Sequence, residues 1–371
     1  MQMPPFKLER YFAKHEFNVE YVLCCSDCES LSIQDLLAFE PDAAERFQQH
    51  WLGYTESMGS PSLREEICRI YDHIQPDQVL VHTGAEEAIF LFMHAALNAE
   101  DHVIVHSPGY QSLAEIARSI GCRVSLWQAS EEAGWALDLD ELKKSIRSDT
   151  RAIIINTPHN PTGYLMPLEI FEEVSRLARK NGIILFSDEV YRESEFRCED
   201  RLPAACDFGE HAVSLGVMSK TYGLPGLRIG WIATRNSDIY NKIGMLKDYT
   251  TICNSAPSEF LAELALRHRE ALAERSLEII SGNLAVLDQL FDKYAALISW
   301  QRPQAGSIGF PRLIGEDVNS FCEALVKYAG VLLLPGTLYE DSGNHFRIGF
   351  GRKNMAEAIS RLEQFIKNTL V

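Results

Sequence analysis

This sequence predicts an α/β fold: a seven-stranded, mostly parallel sheet with helices on both faces, and a smaller α+β domain beyond it. Three observations carry that expectation. Seven short runs rich in β-branched residues recur along the first two-thirds of the chain, amphipathic helical stretches fill most of the gaps between them, and after about Ser255 the alternation stops. Strands that alternate with helices build a parallel sheet with a helical layer on each side, three layers in all.

The runs are Gln78–Thr83, His102–Ser107, Arg123–Ala129, Ala152–Thr157, Ile183–Asp188, Ala212–Ser219 and Arg228–Thr234. Several are almost unbroken in apolar residues, as a strand covered on both faces should be. Glu86–Leu97, Ser112–Ile120, Leu139–Arg147 and Leu168–Lys180 carry apolar residues three and four apart, which predicts helices. Gly121 and Gly182 stand where two of these should be capped. A long helical tract, Ser258–Tyr294, opens the second texture; strands at Gly306–Leu313 and His345–Gly349 and an amphipathic helix at Met355–Leu370 complete it. The first 45 residues lack the βα rhythm. The expected organisation is an N-terminal segment (1–45) packed on the small domain or the active site, a large domain (46–260) and a small domain (261–371).

Composition narrows the function. A chain of 371 residues suits about two domains, and 46% hydrophobic with 23% charged residues is ordinary for a soluble globular protein. A net charge of −17 argues against nucleic acid or anionic lipid as a partner, while leaving room for a locally basic site. No run reaches the roughly 18 uncharged apolar residues of a membrane span, and Met1–Arg10 holds no apolar signal-peptide core. Nine cysteines in such a chain predict reduced thiols and a cytoplasmic protein. Cys24, Cys25 and Cys28 cluster, but no second pair or histidine group follows at ligand spacing, so they read as buried or partly buried thiols and no metal is expected.

In an open parallel sheet, ligands bind beyond the carboxyl ends of the strands. The polar punctuation gathers there: Thr83-Gly84-Ala85-Glu86, Ser107-Pro108-Gly109-Tyr110, Asn156–Gly163 (NTPHNPTG), Ser187–Tyr191 (SDEVY) and Met218-Ser219-Lys220-Thr221. Segments far apart in sequence thus predict one site. Gly84-Ala85-Glu86 offers backbone N–H groups at a helix N-terminus, suited to a phosphate, although many βα turns look alike. No glycine-rich loop closes in Gly-Lys-Ser or Gly-Lys-Thr, and no dinucleotide fingerprint follows a strand. Lys220 stands where an apolar strand gives way to a loop, and a desolvated stem eases the loss of its proton, as a Schiff-base nucleophile requires. On position alone, a loop lysine reaching solvent is the plainer reading.

The run Ser219–Trp231 (SKTYGLPGLRIGW) resembles the cofactor-lysine motif of the class I/II aminotransferases, the fold-type I enzymes that use pyridoxal 5′-phosphate (PLP). NTPHNPTG and SDEVY resemble two further signatures of that family, in the same order, and the resemblance extends from Tyr54 to Arg347. It implies PLP as cofactor, an α-amino acid as substrate and a homodimer. It also implies that Lys220 forms the Schiff base, that Asp188 pairs with the pyridine nitrogen and keeps it protonated, and that Asn160 and Tyr191 hydrogen-bond the ring's 3′-oxygen. Tyr110 would stack on the ring. Arg228 would clamp the phosphate with Ser219 and the backbone of Gly84, Ala85 and Glu86, while Tyr54 would reach the phosphate of the neighbouring subunit. Arg347 would grip the substrate α-carboxylate with its planar fork.

The match departs from the family at two places. Val217 stands where a small residue usually precedes the lysine by three, so a phosphate contact is missing or falls to Ser219. The stretch Leu23–Ser30 (LCCSDCES), with Glu9-Arg10-Tyr11-Phe12, is similar to the N-terminal region of relatives acting on arginine or hydroxyarginine, the capreomycidine and enduracididine synthases and the PLP-dependent arginine oxidases. Asp27 and Glu29 would there favour a guanidinium or ammonium side chain; a solvated polar loop is the alternative. Transamination is therefore the leading expectation, and cyclisation, elimination or oxidation of an arginine-like substrate the second. A non-catalytic ligand-binding derivative is third, since no helix-turn-helix precedes the large domain.

Overall fold

A seven-stranded sheet runs through the computed structural model, which describes residues 3–341 and 343–369. In chain order its strands are β1 (Val79–His82), β2 (His102–Ser107), β3 (Arg123–Gln128), β4 (Thr150–Asn156), β5 (Ile184–Asp188), β6 (Ala212–Val217) and β7 (Gly230–Thr234). In space they lie in the order β1-β7-β6-β5-β4-β2-β3, with only β7 reversed against its neighbours. The cause lies in the connection from β6 to β7, which holds just the single turn Pro225–Leu227 and no helix to carry the chain back across the sheet.

Alternate residues of each strand face opposite layers. Val103, Val105, Ile154 and Phe186 pack with Ile89, Phe92 and Ile116 of the helices Gly84–Ala96 and Ser112–Ile120. Ile104, Ile153, Ile155 and Leu185 meet Phe171, Val174 and Leu177 of Leu168–Asn181 on the other face. Gly121 and Gly182 both cap their helices in the left-handed conformation, the geometry glycine enters without strain.

The second region differs from expectation in detail. Ser258–Tyr294 is two helices, Ala256–Arg267 and Arg269–Lys293, because His268 leaves helical geometry (φ −114°, ψ 24°) while it and Arg267 both bond Glu40. Gly306–Leu313 is likewise two short strands, Ile308–Gly309 and Arg312–Leu313, parted at Phe310-Pro311, where proline has no N–H to give a ladder. The closing helix spans Met355–Thr369, and Leu370 lies outside the described residues. Ile280, Leu284 and Leu287 of the long helix form a separate core with Phe321, Phe346, Ile348 and Leu362. The N-terminal segment is stitched to this region by parallel pairing of Tyr21–Val22 with Val331–Leu332. Among the described residues no helix is long and apolar enough to cross a membrane.

Candidate active site

A cavity of about 380 Å³ opens beyond the carboxyl ends of β4, β5 and β6. Because β7 runs the other way, its beginning faces the cavity, and Arg228, just ahead of it, is carried there. A wider groove of about 800 Å³ follows the helix Arg269–Lys293, but none of the residues singled out by sequence lines it.

Lys220 is half-buried at the cavity wall, and its Nζ donates to Ser26 Oγ at 2.8 Å. Burial lowers its pKa; the charges of Asp27 and Asp188 oppose that shift and Arg347 reinforces it. A lysine in this setting loses its proton more readily than one in water. Asp188 is buried at the end of β5, and among the described residues its Oδ1 accepts only the Val190 N–H, at 3.2 Å. Burial pushes its carboxyl up to about 7. A carboxylate so poorly solvated gains from a cation placed beside it.

Arg347 is 1% exposed, and its partners are neutral: the Cys24 carbonyl at 2.8 and 3.2 Å, Asn160 Oδ1 at 3.3 Å and the Tyr339 hydroxyl. Among the described residues no carboxylate pairs with it. A buried guanidinium left without a counter-charge suits an incoming carboxylate. Tyr339 also donates to Asn160 Oδ1 at 3.0 Å, and the Asn160 N–H donates to Asn156 Oδ1 at 2.7 Å. Tyr110 donates to Glu9 Oε1 at 3.3 Å and packs its ring 5.1 Å from that of Phe6. Tyr191 donates to the Ser26 carbonyl at 3.0 Å.

The donor set also fits the phosphate end of PLP. Gly84 has φ +80°, and a Cβ there would stand 2.6 Å from Arg228 Nη2; a Cβ on Gly230 would stand 2.8 Å from Gly84 C and 2.9 Å from Ala85 N. Two glycines therefore let a guanidinium and a helix N-terminus converge on one point, as an oxyanion requires. Ser219 and Val217 line the same cavity. Glu86, in the same turn, has its carboxyl pushed up to about 7 by burial, with Oε2 unpartnered among the described residues.

The structure thus brings Lys220, Asp188, Asn160, Tyr110, Ser219, Arg228, Arg347, Ala85 and Glu86 to one cavity, with Gly84 and Tyr191 beside it. Tyr54 lies apart and is 86% exposed. Asp27 stands at the rim, already paired with Arg352 at 2.8 Å. Glu29 does not line the cavity, and its carboxylate accepts the Lys353 N–H at 2.9 Å. Residues not singled out by sequence also enter: Ser26, Asn156, Tyr339, Glu9 and Glu16. Ser26, Asn156 and Glu9 lie inside stretches already marked, whereas nothing in the sequence distinguishes Glu16 or Tyr339.

The family model described as aminotransferase class I and II matches residues 22–362. A PLP-dependent aminotransferase from Streptococcus suis 89-1591 is 34% identical and superposes with a TM-score of 0.93 over 99% of both chains. The PLP-dependent cyclase OrfR is 27% identical, with a TM-score of 0.90 over 99% of this chain and 98% of its own. Capreomycidine synthase from Streptomyces vinaceus is 28% identical over 355 residues, 94% of this chain and 90% of that protein.

Proposed function

This chain belongs to the class I and II aminotransferases, and from that premise we propose that Lys220 both holds its PLP and moves the substrate α-proton. The observation that carries the proposal is the meeting of Lys220, the buried Asp188 and the uncompensated Arg347 in one cavity. PLP, when bound, supplies an electron sink for the α-carbon. Asp188 would pair with the pyridine nitrogen and keep it protonated, Asn160 and Tyr191 would hydrogen-bond the ring's 3′-oxygen, and Tyr110 would stack on its face. Arg228, Ser219 and the N–H groups of Gly84, Ala85 and Glu86 would hold the phosphate. Arg347 would orient the amino acid by its α-carboxylate, and the Lys220 amine would take up and return the α-proton as general base and acid. Tyr54 serves the phosphate of a second subunit in a homodimer, in the cytoplasm. Borohydride reduction of the holoenzyme should fix the cofactor on the peptide containing Lys220. Separate incubation of the unreduced holoenzyme with amino acids should give keto acid and pyridoxamine phosphate; no keto acid from any of them would remove transamination.

A second reading, cyclisation, elimination or oxidation of arginine or hydroxyarginine, is favoured by the cavity's rim. Glu9, Glu16 and Asp27 all line it, and the relatives include a cyclase and capreomycidine synthase. Asp27 is engaged by Arg352, so Glu9 and Glu16 have the freer carboxylates for a guanidinium. Product mass analysis with arginine and its hydroxy derivatives separates the two readings.

A further inference from the structure

Lys220 Nζ has one hydrogen-bond partner among the described residues, the Ser26 hydroxyl at 2.8 Å. That hydroxyl belongs to the N-terminal segment, 194 residues away in sequence, and not to the sheet that carries the lysine. Its place is over-determined. The Ser26 carbonyl accepts from Tyr191 Oη and Ser307 Oγ, each at 3.0 Å. On one side Arg347 holds the Cys24 carbonyl and Gly349 N–H the Leu23 carbonyl at 2.7 Å; on the other the Glu29 N–H donates to the Gly351 carbonyl at 2.8 Å. A Cβ on Gly349 would lie 2.0 Å from the Cys25 carbonyl, so the strand carrying Arg347 and the segment carrying Ser26 meet backbone to backbone.

We propose that Ser26 is a positioning residue for Lys220, its hydroxyl holding Nζ whenever the lysine is not bonded to the cofactor. A hydroxyl has one proton to give and two lone pairs to receive with, so it can accept from an ammonium or donate to a neutral amine. A carboxylate in its place would favour the ammonium and spoil the base, and an alanine would leave a four-carbon amine with no polar contact. The charged and titratable groups around Nζ are Asp27, Asp188, Cys25 and Arg347, with the Tyr191 ring 6.0 Å away. When Lys220 takes the α-proton, the C–H bond breaks, an Nζ–H bond forms and the electron pair stays with the α-carbon; Ser26 fixes where Nζ stands for that transfer.

The inference rests on the assignment of Lys220 above, and the experiment separates the two. Ser26→Ala, Ser26→Thr and Lys220→Ala are compared for exchange of the substrate α-hydrogen in deuterium oxide. For the cofactor-free proteins, the pH dependence of Lys220 reductive methylation is followed by mass spectrometry. Ser26→Ala should keep its melting temperature and PLP stoichiometry, slow exchange about tenfold through kcat rather than KM, the usual worth of one hydrogen bond, and lower the pH midpoint of methylation, since the ammonium loses an acceptor. Ser26→Thr should restore both. Exchange and midpoint unchanged in Ser26→Ala, or Ser26→Thr as impaired as Ser26→Ala, would overturn the proposal. Should Ser26→Ala not fold, Ser26→Gly and Ser26→Cys carry the same comparison. Lys220→Ala that still binds PLP covalently and exchanges the proton would defeat the lysine assignment itself, whatever Ser26 does.

Discussion

Arg347 and Asp188 illustrate how burial turns an ordinary ionisable side chain into a demand for a partner. Arg347 gives its donors to neutral oxygens, so a substrate carboxylate would be its first counter-charge. Arg347→Ala should cost on the order of 10²–10³ in kcat/KM, the range for losing one member of a buried ion pair. Arg347→Lys should recover little of it, because an ammonium lacks the planar fork; steady-state kinetics on the best amino acid reads both. Asp188 supplies a test with a definite sign. Its folded-state pKa is raised by burial, so the folded protein binds this proton more tightly than the unfolded chain. The contribution is fully present below the unfolded value near 4 and is lost as pH rises through about 7. Cofactor-free Asp188→Asn should therefore melt above the cofactor-free parent at pH 8 and lose that advantage towards pH 4, whereas with PLP present the order at pH 8 should reverse. Asp188 is legible from SDEVY and Arg347 by resemblance, but Tyr339, the hydroxyl that Arg347 and Asn160 share, is not. A hydroxyl that serves through Asn160 and Arg347 leaves no pattern of its own in sequence.

Between residue and molecule, the site depends on how two antiparallel elements meet. The turn into the helix Gly84–Ala96 lies against the start of β7, and the approach is close enough that neither Gly84 nor Gly230 has room for a Cβ. Gly84→Ala would press a methyl group on the Arg228 guanidinium and force a side chain into φ +80°. It should weaken PLP binding about tenfold or more, read by fluorescence titration of the cofactor-free protein, with the fold retained by circular dichroism. The strands and helices of the sheet were readable because each carries a local signature, a continuous apolar run or a three- and four-residue repeat. The break at His268 was not, since what draws the chain out of the helix is Glu40, more than two hundred residues away. The same limit applies to the acidic stretch: Asp27 and Glu29 were visible, while Arg352 and the Lys353 amide that occupy them come from the far end of the chain.

At the scale of the whole molecule, two stretches expose large apolar side chains. Trp51, Leu52 and Tyr54 are 79%, 79% and 86% exposed, and Met245, Tyr249 and Ile252 are 60%, 90% and 55% exposed. The chain just after the first stretch is tied to the second, because the buried Lys247 donates to the carbonyls of Ser57 (2.8 Å) and Ile252 (3.3 Å), and Ser57 Oγ to Asp248 at 3.2 Å. Exposed large apolar side chains near one another on a chain of net charge −17 offer a place where a second copy can bury area. Tyr54 stands among them, so assembly and cofactor affinity should be coupled. On the homodimer proposed above, Leu52→Arg with Tyr249→Arg should shift the sedimenting species from dimer to monomer and weaken PLP binding together. Tyr54→Phe should leave the dimer intact and weaken PLP alone, by about tenfold for one lost phosphate hydrogen bond. A monomeric double variant that binds PLP as tightly as the parent would show that each subunit completes its own phosphate site, and that Tyr54 belongs to the interface only.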